Sequence, residues 1–450
     1  MPLPAPSRRP VLIVTTLASF LTPFMGSSVT VALPAIGREL GLGPLGLSWI
    51  ATSYLLAAAI LLVPFGKLAD ARGRTRIFVG GMVVYTAASL GCTLSPSAAL
   101  LMASRVAQGA GGAMVFGTSV AILTAAFPPE QRGRVLGINV AAVYLGLSLG
   151  PFLGGILTEQ LGWRSVFAGN VLAGVVTSLV AAWKLPRDAR PPASARFDWP
   201  GAAFYSAALA AIISGLSRLP GPSGALLLGA GLVAGLAFVR RERVAEDPLL
   251  DLRLFSGNRV FAFSNLAALI NYASTYAVAF LLSLYLQDLR GLGAQAAGGL
   301  LVVQPIVQAA VSPFAGRLSD RVAPRLLASS GMGIIAAGLA ALAFLGQHVA
   351  FSWIGAALAA LGVGFGLFSS PNTSAVMGSV ARPQYGVASA TLATVRMSGQ
   401  ALSMGIAMLV FALAGSGAGS ARLVALRAAF AVFAALSVVG TLASLAREAE

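Results

Sequence analysis

Long apolar runs separated by short polar stretches recur along this 450-residue chain. Fourteen of them approach the roughly 20 residues an α-helix needs to cross about 30 Å of hydrocarbon. They predict helices over 11–33, 46–65, 77–95, 99–126, 135–157, 164–183, 201–217, 225–239, 259–287, 295–315, 326–346, 352–377, 388–413 and 422–446, the seventh and eighth being short. The first run continues to Val31 without a small-residue cleavage site, so it reads as a retained span and not as a signal peptide. The expected fold class is an all-α integral membrane protein of fourteen spans.

Composition agrees. The chain is 57% hydrophobic and only 10% charged, with mean hydropathy +0.85, against roughly 25% charged in soluble domains. Net charge +16 raises the question of nucleic acid, but the basic residues form short clusters between spans and no continuous patch, so a nucleic-acid partner is excluded. Their distribution sets orientation instead. With the N-terminus inside, one side carries Arg8, Arg9, Lys67, Arg72, Arg74, Arg76, Arg132, Arg134, Lys184 and the later clusters at 240–243 and 317–325, while the other holds only Arg38, Arg164, Arg218, Arg290, Arg422 and Arg427. Both termini are expected to be cytoplasmic, in a cell membrane. One cysteine, Cys92, and one histidine, His348, leave no intramolecular disulfide and no His/Cys metal cluster.

Five charges crowd into the stretch GKLADARGRTR, Gly66 to Arg76, between the second and third spans. GRLSD, Gly316 to Asp320, followed by Arg321, repeats its Gly, basic, Leu, small, Asp pattern between spans ten and eleven. The copies lie 250 residues apart, about eight helices at about 32 residues per helix and loop, where a six-helix repeat needs only about 190. The excess fits one inserted helix pair, giving a six-helix bundle at 1–184, a linker with two additional spans at 185–258, and a second six-helix bundle at 259–450.

This layout resembles the major facilitator superfamily, and within it the fourteen-helix drug/proton antiporters. Gly66-Lys-Leu-Ala-Asp70-Ala-Arg72-Gly73-Arg74 looks like the superfamily's signature loop. MASRVAQGAGG, Met102 to Gly112, with Arg105, Gln108 and Gly109, is similar to its fourth-helix motif, and Gly146-Leu-Ser-Leu-Gly150-Pro151-Phe-Leu-Gly154-Gly155 to its fifth-helix antiporter motif. The first span ends in VALP, Val31 to Pro34, as that family's usually does. The resemblance implies alternating access driven by proton antiport.

Physical reasons stand beside the resemblance. Gly66 and Gly73 are expected to make tight turns. Asp70, placed near the N-terminus of the third helix and within reach of Arg72 or Arg74, is expected to form a latch that stabilises one conformer, with Gly316, Asp320 and Arg321 as its counterpart. Gly146, Gly150 and Gly154 share one helix face and allow close approach of a neighbour, while Pro151 bends the span, a combination that reads as a hinge beside a seam. Gly146 to Gly150 also reads GxSxG, but no strand precedes Ser148, so a hydrolase elbow is excluded. GLGPLG at 41–46 sits in a loop and makes no nucleotide site, and the only lysines, Lys67 and Lys184, precede leucine, so no P-loop exists. Neither a cofactor nor an enzyme activity is expected.

Proton coupling ordinarily uses a carboxylate inside the membrane, yet all fourteen acidic residues fall in loops or at helix ends. Where the antiporter family usually carries an aspartate in its first helix, this chain has Met25. Asp70, Asp288 and Glu159 are the remaining proton carriers to consider. Arg105, about five residues from the outer end of the fourth span, is expected to snorkel; Arg396, about eight residues into the thirteenth, lies deeper and favours an anionic group nearby. Arg105, Asp70 and Arg396 are therefore the candidates for coupling. Tyr54, Asn139, Tyr144, Asn265, Asn271, Tyr272, Tyr276, Gln304, Gln308, Asn372 and Gln400 are placed near a central cavity because polar side chains inside spans face the bundle interior, and Met25 because it stands at the position of the family's first-helix aspartate. Pro305 is expected to break the tenth helix. The expected function is export of hydrophobic or amphipathic compounds by a monomer, with a lipid or anionic-metabolite transporter of the same fold as the alternative, which the missing first-helix carboxylate and Arg396 make credible.

Overall fold

A computed structural model describes residues 8–185, 197–245, 248–250, 252–319, 321–380, 385–414 and 420–446. Among them are seventeen α-helices, one π turn and no strand. In chain order the helices are α1 (Arg8–Leu40), α2 (Pro44–Arg72), α3 (Arg74–Thr93), α4 (Ala98–Ala126), α5 (Pro129–Leu161), α6 (Arg164–Lys184), α7 (Trp199–Leu216), α8 (Pro222–Val244), α9 (Arg253–Ser256), α10 (Arg259–Thr275), α11 (Val278–Leu284), α12 (Ala294–Leu301), α13 (Val303–Leu318), α14 (Pro324–Ala343), α15 (Phe351–Gly378), α16 (Tyr385–Ala414) and α17 (Ser420–Leu445). They supply fourteen segments long and apolar enough to cross a membrane, as the hydrophobic pattern predicts. Fourteen crossings put both ends of the described chain on one face, named the inner face.

Two six-helix bundles form. In the first, α1 packs on α4, α5 and α6, α2 on α4, and α3 on α4 and α6; in the second, α10 packs on α16 and α17, α13 on α15, and α14 on α15 and α17. The bundles meet where α2 touches α16, α5 touches α12 and α13, and α1 touches α11.

The inserted pair α7–α8 packs as a hairpin, with α7 laid against both α2 and α16. Chemistry fixes it there. Pro64, inside α2, has no N–H to give the carbonyl of Ile60. A carbonyl left without a donor in hydrocarbon costs several kcal/mol, and Ser206 of α7 donates its Oγ to it at 3.1 Å. Tyr205 donates its hydroxyl to the neighbouring Ala59 carbonyl at 3.0 Å.

Two spans are broken, the ninth against expectation and the tenth as Pro305 predicts. The ninth stops at Tyr276, where the N–H of Ala277 donates to Ser403 Oγ of α16 at 3.0 Å. A side chain inserted into the helical ladder is sufficient cause. The same span ends in a π turn, Tyr285–Leu289, a single-turn feature that redirects side chains. The tenth span breaks at Val302 between α12 and α13, because Pro305 offers no N–H to Leu301.

The signature stretch also differs from expectation. It is almost wholly helical: α2 runs to Arg72, α3 starts at Arg74, and Gly73 alone makes the turn with φ +108°, a value that favours glycine. Gly66 is helical, and its Cα lies 3.4 Å from where a Cβ on Gly117 of α4 would stand. Asp70 lies in the last turn of α2 and not at the N-terminus of α3. Its side chain, like Asp320 as a whole, falls outside the described residues. Arg72 and Arg321 are exposed, and Gly316 ends α13 facing Ser370.

Candidate functional site

A cavity of about 1870 Å³ lies between the bundles. Its wall is built from the inner parts of α2, α4, α5, α10, α13, α15 and α16, with Ser19 of α1, Arg74 of α3, Leu249 and Leu250, so it opens at the inner face. The surface is chiefly apolar, with Leu62, Phe116, Leu149, Phe152, Ile306 and Leu392 among its residues. Three basic side chains line it, Lys67, Arg74 and Arg396, and no acidic one does among the described residues.

Of the polar residues predicted near a cavity, Asn139, Tyr144, Tyr272 and Asn372 line it, as does Arg396. Tyr144 on α5 and Ser369 on α15 share a hydrogen bond of 3.0 Å across the two bundles. Tyr272 stands edge-on to Phe365 with ring centroids 5.3 Å apart, and the Arg396 guanidinium lies beside its hydroxyl. Arg396 has no carboxylate within 4 Å among the described residues, which leaves its charge available to a cavity occupant.

The remaining expectations are corrected. Met25 is fully buried in the core around α1 and does not reach the cavity wall. Tyr54 and Tyr276 pack into or against the same core. Asn271 is fully buried in α10, and the Nδ2 of Asn265 turns back to the Phe261 carbonyl at 2.8 Å. Gln304, Gln308 and Gln400 lie outside the cavity wall, the Gln304 backbone carbonyl being packed on Gly362. Polarity inside a span marks the bundle interior, and most of that interior is helix contact.

Arg105 does not snorkel. It is 2% exposed, with Nε donating to the Ile50 carbonyl at 3.2 Å and Nη1 to Gln108 Oε1 at 2.5 Å, and its guanidinium lies 4.4 Å from the centre of the Tyr54 ring. Gln108 Nε2 and Asn170 Nδ2 both donate to Ser89 Oγ, at 2.7 and 2.8 Å. This network ties α2, α3, α4 and α6 together and shares a buried cation among a carbonyl, an amide and a π face. It lies apart from the cavity wall.

The fifth-helix glycines divide between two tasks. Gly146, Gly150 and Gly154 face α1 inside one bundle: a Cβ on Gly146 would stand 2.5 Å from the Phe20 carbonyl, one on Gly154 2.7 Å from Ser28 Cα, and Ser28 Oγ donates to the Gly150 carbonyl at 2.9 Å. Gly155 and Pro151 face the other bundle. A Cβ on Gly155 would stand 2.6 Å from the Ala294 carbonyl, and Gly298 packs directly on the Pro151 carbonyl.

Those contacts belong to the closed outer side. Gln287 Nε2, in the π turn, donates to the Val31 carbonyl at 2.9 Å, and Glu159 Oε2 accepts from the Gln295 N–H at 2.8 Å. Asp288 pairs with Arg422 at 3.0 Å and approaches Arg38 of the first bundle at 3.9 Å. Both Glu159 and Asp288, considered from the sequence as proton carriers, thus stand at the outer closure.

A bundle pair closed on one side and open on the other is the geometry of alternating access. The family model described as Major Facilitator Superfamily matches residues 15–404. The chain belongs to the major facilitator superfamily. It is a multi-pass membrane transporter and not an enzyme. Among its relatives, this facilitator is 37% identical over 414 residues to the cephamycin export protein CmcT of Amycolatopsis lactamdurans, covering 89% of this chain and 84% of that one. It is 30% identical over 386 residues to the riboflavin transporter RibZ of Clostridioides difficile, covering 86% and 84%, and 31% identical over 401 residues to the multidrug resistance protein Stp of Mycobacterium tuberculosis, covering 88% and 74%. A crystal structure of a bacterial homologue of the human lysosomal transporter Spinster superposes with TM-score 0.68 at 18% identity over 99% of this chain and 98% of that one.

Neither Lys67, Ser369, Leu249 nor Leu250 was singled out from the sequence as a cavity residue. Ser369 is one hydroxyl among several in an apolar helix, and the two leucines follow the inserted pair, so no periodic signal separates them.

Proposed function

We propose that this facilitator exports amphipathic organic compounds, neutral or anionic, by proton antiport. The observation that carries the reading is the cavity's chemistry: a wide apolar surface lined by Lys67, Arg74 and Arg396, with no acidic side chain on it among the described residues. An apolar wall takes an apolar body at about 25 cal/mol per Å² of surface removed from water, while basic side chains on that wall select against a cation. Relatives named for cephamycin export, riboflavin transport and multidrug resistance lend support to a small organic cargo. In this reading the bundles at 1–184 and 259–450 rock about the cavity of a monomer, with 185–258 as the joint, both termini are cytoplasmic, and the two related stretches at Gly66–Arg74 and Gly316–Arg321 latch the inner face.

The test uses two dyes that differ by one sulfonate, neutral N-phenyl-1-naphthylamine and anionic 1-anilinonaphthalene-8-sulfonate, with a lipophilic cation as contrast. In proteoliposomes with an acidic lumen and a lumenal pH dye, uptake of the naphthalene dyes together with lumenal alkalinisation is the expected result. Alkalinisation by the cation alone would overturn the substrate class. Dye movement without any proton signal would overturn the coupling and favour the lipid or anionic-metabolite alternative.

A further inference from the structure

The inserted helix pair reaches the cavity. Pro248–Leu250, just beyond α8, runs back along the inner end of α2, and both Leu249 and Leu250 form part of the cavity wall. Leu249 is buried against Val63 of α2 and against Ala202 and Tyr205 of α7, with Leu250 packed beside it. Short segments of this kind hold their shape only where their backbone groups are bonded. Here the N–H of Leu250 donates to Glu242 Oε2 at 2.8 Å.

Glu242 is an unusual anchor. It is 5% exposed, its Oε1 has no hydrogen-bond partner, and no cation lies within 4 Å of it, all among the described residues. Beside it Asp198, which caps α7 by accepting from the Gly201 N–H at 3.2 Å, is held by Arg241, with Nη2 to Oδ1 at 3.1 Å. Gly201 leaves the room both carboxylates use: a Cβ there would stand 2.5 Å from Asp198 Oδ2 and 2.9 Å from Glu242 Oε1. The Asp198–Arg241 pair thus clamps the start of α7 to the end of α8, and Glu242, next in the chain, holds the segment that follows. Ser206 and Tyr205 fasten the hairpin to α2. A costly buried carboxylate that accepts from the Leu250 N–H, with the Leu249 backbone also beside it, argues that the placement of this pair matters.

We propose that Leu249 and Leu250 form a substrate-contacting lip donated by the inserted helices, with Glu242 as its positioning residue. The lip takes the apolar body of the amphipath, on the same side of the cavity as Arg396: Ala393, one turn before that arginine, packs with Leu62 of α2 and Leu209 of α7. Leu249 is the anchor and Leu250 the contact. This rests on the substrate class argued above.

The test uses the full-length protein in nanodiscs and inside-out vesicles. Leu250→Ala is expected to weaken N-phenyl-1-naphthylamine binding five- to tenfold. Glu242→Ala is expected to do the same, and Glu242→Gln, whose amide oxygen still accepts from the Leu250 N–H, to restore it. Because the single native cysteine, Cys92, is fully buried, a Leu250→Cys variant provides one reactive thiol. A membrane-impermeant maleimide added at the inner face should label it, more slowly in the presence of the dye. Unchanged dye binding by Leu250→Ala, or an unreactive thiol at 250, overturns the lip. If the unsubstituted protein binds neither naphthalene dye, the substrate class fails instead, and labelling at 250 decides by itself whether the segment faces the cavity.

Discussion

Glu159, near the end of α5, accepts a hydrogen bond from the backbone N–H of Gln295 in the first turn of α12, 2.8 Å away in the other bundle. One bundle thus caps a helix of the other, and it does so only while the outer side is shut. A capping acceptor is worth about 1 kcal/mol, enough to shift a two-state population about fivefold. Glu159→Ala should raise the outward-open fraction by that factor and Glu159→Gln should not, as read by spin-label distances across the outer face.

Gly298 lies against the Pro151 carbonyl with no room for a side chain. Gly298→Leu should prevent outer closure and reduce transport to background while expression and helix content stay normal. Closure contacts of this kind are steric, so the smaller Gly298→Ala should lie between. Distances across the outer face again provide the check.

Arg105 holds Ile50, Gln108 and Tyr54 at once, a task that needs a planar fork. Arg105→Lys retains a buried charge that cannot reach all three partners. Arg105→Met removes the charge and keeps the bulk. Lysine should therefore lower the unfolding temperature in detergent more than methionine does, with a loss of about 3 kcal/mol or more for an uncompensated buried cation.

Ser206→Ala should cost about 3 kcal/mol, the upper end of the penalty for leaving a buried carbonyl such as that of Ile60 without a donor. Pro64→Ala restores an N–H to that carbonyl within α2. In the Pro64→Ala background the serine substitution should become nearly neutral, and a double-mutant cycle on thermal stability measures the difference.

Arg396→Ala should weaken 1-anilinonaphthalene-8-sulfonate binding by about tenfold, near the 1.4 kcal/mol lower end of hydrogen bonds to charged groups, and leave N-phenyl-1-naphthylamine within about twofold. Equal losses for both dyes would remove this arginine from anion selection.

The spans were readable because hydrocarbon imposes a length and a composition that any 20-residue window reveals. The duplication was readable from GKLAD and GRLSD, and the inserted pair from their separation. Pro305 announced the break beside Val302, since a missing N–H is a local fact. The break at Ala277 was not announced, because its cause, Ser403, is 126 residues away.

The cavity followed the same division. Sequence alone placed a dozen residues inside the spans, and polarity marked them as facing inward. Only the packing of α5, α10, α15 and α16 separated Asn139, Tyr144, Tyr272, Asn372 and Arg396, which meet the cavity, from Met25, Tyr54 and Asn271, which are sealed in helix contacts. The same holds for Glu159, Asp288 and Glu242. Their lack of a mid-span position was visible in one dimension, whereas their partners, Gln295, Arg422 and Leu250, come from elsewhere in the chain. Sequence determined which segments cross the membrane and which charges stay outside it, because partition depends on each segment's own surface. The tertiary structure decided which side is closed and what lines the opening, because those depend on contacts between segments.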